Sequence, residues 1–155
     1  ILRPSGFASN LLPLADRFSQ TGIYLLVGDP LDRTSIVSTD DLARIAIDSV
    51  RVAAARNQTL AIGGPEILER REIPQIFGRI FNREPIVLNP PLVTLDGVRF
   101  LSGFVSPETQ KSLGTLRTLL ANEFYVTKGE VDRLEMMFDL KLETLETFLR
   151  RYSSI

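Results

Sequence analysis

Five short apolar runs, each cut off by a turn, constrain this chain most. Ile1-Leu2-Arg3 runs into Pro4-Ser5-Gly6, and Ile23–Val27 into Gly28-Asp29-Pro30. Thr34–Val37 meets Ser38-Thr39-Asp40, Thr59–Ile62 meets Gly63-Gly64-Pro65, and Pro85–Leu88 meets Asn89-Pro90-Pro91. Runs this short, bounded by turn residues, read as strands, the first as the end of a buried one. Helical spacing fills the intervals. One helix is expected over Leu11–Gln20, capped by Ser9 or Asn10 and stopped at Thr21-Gly22; Pro13 falls in its first turn, where a missing N–H costs little. A second starts from Ser38, Thr39 or Asp40 with Leu42, Ile45, Ala46 and Val50 on its apolar face, and a break follows at Asn57-Gln58. A third runs from about Arg70 to Phe81 with Ile73, Ile76, Phe77 and Ile80 inward.

The last third reads as helical. A helix is expected over Leu92–Phe100, and Ser106-Pro107-Glu108 opens another with Leu113, Leu116, Leu119 and Leu120 on its face. Thr127 caps a further stripe of Val131, Leu134, Phe138, Leu142, Leu145, Leu149 and Tyr152. That stripe suits one long helix, or two with a break near Asp139-Leu140 and a restart near Thr144. The order of elements is that of an α/β fold. Only the first strand and Thr59–Ile62 look like central parallel strands, and two strands make a poor sheet.

The 155 residues fit a single domain, 1–155, with 44% hydrophobic and 24% charged residues, which argues against wholesale disorder. Lys and Arg number 18 against 19 Asp and Glu, so nothing in the charge balance calls for nucleic acid or an anionic membrane. There is no Cys and no His, which excludes disulfides, thiolate nucleophiles, imidazole bases and Cys or His metal sites. No apolar run reaches the ~18 residues of a membrane span, and no signal peptide opens the chain, so a cytoplasmic protein is the default expectation. The first residue is Ile1 rather than Met, which fits a processed chain or a piece of a longer one.

The Pro4-Ser5-Gly6-Phe7 turn follows a strand, where open α/β sheets bind their ligands. Gly6 would allow close backbone approach and Ser5 offers a hydroxyl; a plain strand-to-helix turn is the competing reading. Gly63-Gly64-Pro65-Glu66 lacks the G-x-G-x-x-G spacing and reads as a structural turn. Asp40-Asp41 reads as a helix start that complements the dipole, and Arg70-Arg71 and Arg150-Arg151 as solvated helix faces. Tyr125 and Lys128 are three apart, whereas a Tyr–Lys general-acid pair on one helix face needs i, i+4. Tyr24 has Gly28 at that position and Tyr152 has no Lys after it, so no catalytic residue is assigned.

Three stretches in order resemble a known family: Ile1 to Asn10, Ser35 to Ala43, and Thr59 to Glu66 followed by Glu72-Ile73. They are similar to the late part of atypical and extended short-chain dehydrogenase/reductases, closest to the NAD(P)H-binding, sugar-epimerase-like branch. The resemblance covers nearly the whole chain. It implies a partial Rossmann-like sheet made of that fold's last strands, with a mostly helical C-terminal substrate lobe. Ile1–Arg3 would be the sixth strand and Thr59–Ile62 the seventh. It also implies that Pro4, Ser5, Gly6 and Phe7 border the nicotinamide pocket of NAD or NADP, that Asn10 lies near a small-molecule substrate, and that Asp41-Leu42-Ala43 starts a helix near the substrate lobe. The family's glycine-rich phosphate loop, which offers backbone N–H groups to the pyrophosphate, has no counterpart here, nor does its Tyr-x-x-x-Lys helix.

Two functions are therefore expected to compete. The chain is the C-terminal segment of an NAD(P)-dependent oxidoreductase or isomerase, inactive alone and binding the dinucleotide weakly or not at all. Alternatively, it is a non-enzymatic binding or assembly protein derived from that fold. A first strand with one bare edge predicts either self-association or pairing with a separate N-terminal half.

Overall fold

The computed structural model describes residues 1–90 and 123–153. The expected helices at Leu92–Phe100 and after Ser106 lie outside the described residues. The architecture is mixed α/β with three two-stranded sheets among those residues. Strand β1 (Leu2–Pro4) pairs in parallel with β4 (Leu60–Ile62), Leu2 opposite Leu60. Strand β2 (Ile23–Leu25) pairs in parallel with β6 (Ile86–Leu88), Ile23 opposite Ile86. Strands β3 (Arg33–Thr34) and β5 (Leu68–Glu69) run antiparallel. The second parallel pair is additional to the one that the sequence singled out.

Helix α1 (Leu12–Thr21) follows a 3₁₀ turn at Ala8–Leu11. That turn displaces the expected cap: Leu11 is the N-cap residue of α1, with no side-chain hydrogen bond from it. Pro13 sits in the first turn, as its missing donor allows, and Gly22 ends the helix in the left-handed conformation at φ 71°. Helix α2 (Thr39–Asp48) begins after Ser38, whose hydroxyl is buried and caps nothing. It buries Ile45 and half-buries Leu42, while Ala46 and Val50 face outward, Val50 beyond the helix end and 82% exposed. Helix α3 (Ile73–Phe81) buries Ile73, Ile76, Phe77 and Ile80 as its spacing predicts. Thr127 caps α4 (Lys128–Phe138) through a reciprocal bond with Glu130. Asp139 then takes a left-handed conformation at φ 46°, so the stripe breaks into two helices, α4 and α5 (Leu145–Tyr152).

Two apolar clusters hold these elements. In one, Phe18 of α1, Tyr24 of β2, Phe77 of α3 and Leu145, Phe148 and Leu149 of α5 pack together, with Phe18 and Tyr24 edge-on to Phe77 at 5.6 and 5.3 Å. In the other, Leu60 and Ile62 of β4 meet Ile45 of α2 and Val131, Leu134 and Phe138 of α4. Strand β1 is not the buried strand expected: Ile1 is 81% exposed and Leu2 only half-buried. Its physical reason is that β4 is its one partner among the described residues. No helix among those residues is long and apolar enough to cross a membrane.

Candidate functional site

The turn after β1 is fixed by the strand beyond it. Ser5 N–H donates to the Ile62 carbonyl at 2.9 Å, continuing the β1–β4 ladder by one residue. Val37 N–H donates to the Gly6 carbonyl at 2.9 Å and Ala8 N–H to the Val37 carbonyl at 3.0 Å, which ties the turn to the segment before α2. The Ser5 hydroxyl donates to the Ser35 carbonyl, and it also lies 3.2 Å from the Ser35 hydroxyl. Ser35 is fully buried, and its own Oγ accepts from Val126 N–H at 2.8 Å. Ser5 therefore ties its turn to the Ser35 segment, and Ser35 in turn holds Val126.

The glycines behave differently from one another. A Cβ on Gly63 would meet Ser35 Oγ at 2.5 Å, and one on Gly64 would meet the Ile36 carbonyl oxygen at 2.1 Å. Packing alone thus demands both, in line with the structural-turn reading of Gly63-Gly64. Among the described residues, a Cβ on Gly6 would meet only Ile36 Cγ1, at 3.9 Å, an ordinary contact. Gly6 is also absent from the left-handed residues of the backbone. Neither the described neighbours nor the backbone conformation requires glycine at position 6.

Pro4, Ser5, Gly6, Phe7 and Asn10 all line one cavity of about 680 Å³. The structure thus brings together every residue that the sequence singled out there. Strand β2 forms another wall through Ile23, Tyr24 and Leu25, and Leu88 of β6 extends it. Helix α1 contributes Leu14 and Arg17; with Asn10 just ahead of the helix, they follow a spacing of four and three along one face. Phe124 closes a further part of the wall. It is held by Phe124 N–H to the Arg33 carbonyl and Ser35 N–H to the Phe124 carbonyl, both 3.1 Å, and by the two-pronged contact of Arg33 with Glu123 at 3.0 Å.

Arg17, Tyr24 and Arg70 of this lining were missed by the sequence reading. The Asn10–Leu14–Arg17 spacing could have suggested the first. Arg70 is no solvated helix-face residue: its side chain is 12% exposed and its guanidinium lies 3.1 Å from the Asp32 carboxylate. Burial pushes the Tyr24 phenol up to about 12, against a smaller opposing effect of Arg70. Tyr24 therefore stays protonated near neutral pH, able to donate but not to act as a base.

Asp40 and Asp41 stand in the first turn of α2, where their charge complements the helix dipole as expected, but neither caps it. Asp40 accepts from Arg151 Nη1 at 2.7 Å and from the Tyr152 hydroxyl at 2.8 Å, and these bonds lower its pKa. Asp41 accepts from Glu143 N–H at 2.7 Å, while burial, its largest influence, raises its pKa. The pair docks α5 on the start of α2. Arg151 also reaches Glu143 at 2.7 Å, so it too is tied down rather than merely solvated.

No family model matches the sequence, and no curated protein does. Solved structures do. A nucleoside-diphosphate-sugar epimerase from Staphylococcus aureus superposes with a TM-score of 0.67 at 15% identity, over 96% of this chain and 50% of that one. An epimerase from Methanothermobacter thermautotrophicus gives 0.57 at 11% identity, over 93% of this chain and 37% of that one. A dTDP-glucose 4,6-dehydratase from Bacillus anthracis, solved with NAD, gives 0.55 at 13% identity, over 96% of this chain and 40% of that one. At such identities the likeness is one of fold, and the chain spans half or less of the length of these structures. The structure and these likenesses together establish a Rossmann-like α/β fold shared with epimerases and a dehydratase.

Proposed function

We propose that this chain is the substrate-lobe part of an NAD(P)-dependent oxidoreductase or sugar-epimerase-like protein, and that its cavity is where the nicotinamide end of the dinucleotide meets a small-molecule substrate. The observation that carries this reading is Gly6. It lines the cavity directly after a parallel strand, yet no neighbour among the described residues requires its lack of a side chain. A flat ligand lying close over the backbone there would require it. Pro4, Ser5, Gly6 and Phe7 are the residues that would hold the nicotinamide end, and Asn10 would face the substrate. When bound, the nicotinamide supplies hydride transfer. The chain's own residues would position the ring and exclude water through Phe7, Leu25 and Phe124.

Nothing in the 155 residues has the spacing of a pyrophosphate loop, so the dinucleotide is expected to bind weakly to this chain and by one end. A non-enzymatic binding or assembly protein derived from that fold is the second reading, favoured by a sequence with neither a glycine-rich phosphate loop nor a Tyr-x-x-x-Lys spacing.

Saturation-transfer NMR with NADH and NADPH tests the first reading. Transfer is expected mainly to the nicotinamide protons and to be lost in Gly6→Ala, with no fall in that variant's melting temperature. Transfer mainly to adenine, or an unchanged signal in Gly6→Ala, would overturn the assignment. A calorimetric affinity of about micromolar or tighter, near −8 kcal/mol, would overturn the one-ended binding.

A further inference from the structure

The cavity wall has a chemistry of its own, which sets the class of small molecule it would accept. Resting on the reading above that this is a substrate site, we infer that the ligand is an amphipathic organic carboxylate: an apolar body with one anionic group. Leu14, Ile23, Leu25, Leu88 and Phe7 supply an apolar surface, and each is more than a third exposed in the chain as it stands. A volume of about 680 Å³ is in the range of sites for small organic ligands.

The polar side chains on the wall are few, and several are already engaged. Ser5 is bonded to the Ser35 carbonyl, and Arg70 is paired with Asp32. Among the described residues no carboxylate lines the cavity, and the Arg17 guanidinium has no ion-pair partner. Arg17 stands one helical turn beyond Leu14, so a cation borders apolar surface with no internal counter-charge. A planar guanidinium in that position suits a carboxylate, which accepts two parallel N–H bonds. A sugar nucleotide would instead bring two phosphates and many hydroxyls to a wall that offers mainly Asn10, Arg17 and Thr34 for them. Its polar groups would be desolvated with too few partners.

Calorimetric titration with 2-naphthoate, its neutral counterpart 2-naphthalenemethanol, and UDP-glucose decides the matter. The carboxylate is expected to bind at least tenfold more tightly than the alcohol. Arg17→Gln should erase that difference and leave the alcohol's affinity unchanged, which also establishes that the variant is folded. Leu25→Gln should weaken both naphthyl ligands together. UDP-glucose binding more tightly than 2-naphthoate, no naphthyl binding at all, or a carboxylate preference that survives Arg17→Gln would each overturn the inference. The NADH saturation-transfer signal keeps the two readings apart. If it persists while naphthoate fails, the ligand class is wrong and the site stands; if naphthoate binds at Arg17 without it, the ligand class stands and the dinucleotide reading falls.

Discussion

Tyr24 couples the core to the cavity, and its titration should be visible in stability. Burial penalises the phenolate and pushes the phenol up to about 12 from its ordinary 10.0. Between these two values the unfolded chain gives up the proton while the folded chain keeps it. The corresponding stability is complete below pH 10 and is lost as pH rises towards 12, by an amount on the order of 3 kcal/mol. Urea midpoints measured from pH 9 to 12 should therefore fall more steeply in the wild type than in Tyr24→Phe. Equal slopes would mean that the phenol is not buried as described. The glycines make a second residue-scale test. Gly64→Ala drives a Cβ to 2.1 Å from a backbone oxygen, so a loss of about 3 kcal/mol or more is expected in chemical denaturation. Gly129→Ala, in the first turn of α4 where an added Cβ would meet nothing within 4 Å among the described residues, should instead be neutral or stabilise by up to about 1 kcal/mol. In the sequence both glycines look alike as helix or turn punctuation. What separates them is Ile36, a distant residue brought against Gly64 by the fold.

At the scale of elements, legibility follows how local the deciding interaction is. The inward face of α3, the Gly22 stop and the Thr127 cap rest on residues within a few positions of one another, and the sequence displays them. The cap of α1 did not follow the rule, because the turn at Ala8–Leu11 is set by the tie between Gly6 and Val37 rather than by Ser9 or Asn10. Asp40 and Asp41 do open α2, but their docking role was hidden for the same reason: their partners, Arg151 and Glu143, lie on and just before α5. The β2–β6 pair was hidden because two short apolar runs say nothing about which strand each will join. Helix α5 supplies the test at this scale. Leu145 is 2% exposed and packs with α1 and α3 of the same chain, so its stripe is core rather than a zipper between chains. Leu145→Ala should cost ~2–5 kcal/mol in denaturation and leave the sedimentation coefficient unchanged. A change in association with no change in denaturation would mean that the stripe faces another molecule.

For the whole molecule, the telling feature is that its parallel sheets are unfinished among the described residues. Parallel pairs are ordinarily covered on both faces and extended on both edges. Here Leu60 N–H donates to the Ile1 carbonyl and Ser5 N–H to the Ile62 carbonyl, so residues 1 and 5 bond toward β4. By the alternation of a strand, Leu2 and Pro4 then direct their backbone groups to the opposite edge. Pro4 has no N–H, so that edge presents one donor, from Leu2, and the carbonyls of Leu2 and Pro4. A proline there limits how far another strand can pair, a common way of blunting an edge. One unpaired donor and two acceptors beside the half-buried Leu2 still favour a short added strand. We therefore expect association through this edge at micromolar concentration, with a second copy or with a separate chain that supplies the neighbouring strand. Sedimentation velocity across a dilution series reports the first. Amide exchange reports the edge itself: Ser5 should be protected at every concentration, whereas Leu2 should gain protection only on association. A monomer throughout the series, or a Leu2 amide already protected in the monomer, would defeat the prediction, the latter because the chain itself would be covering the edge.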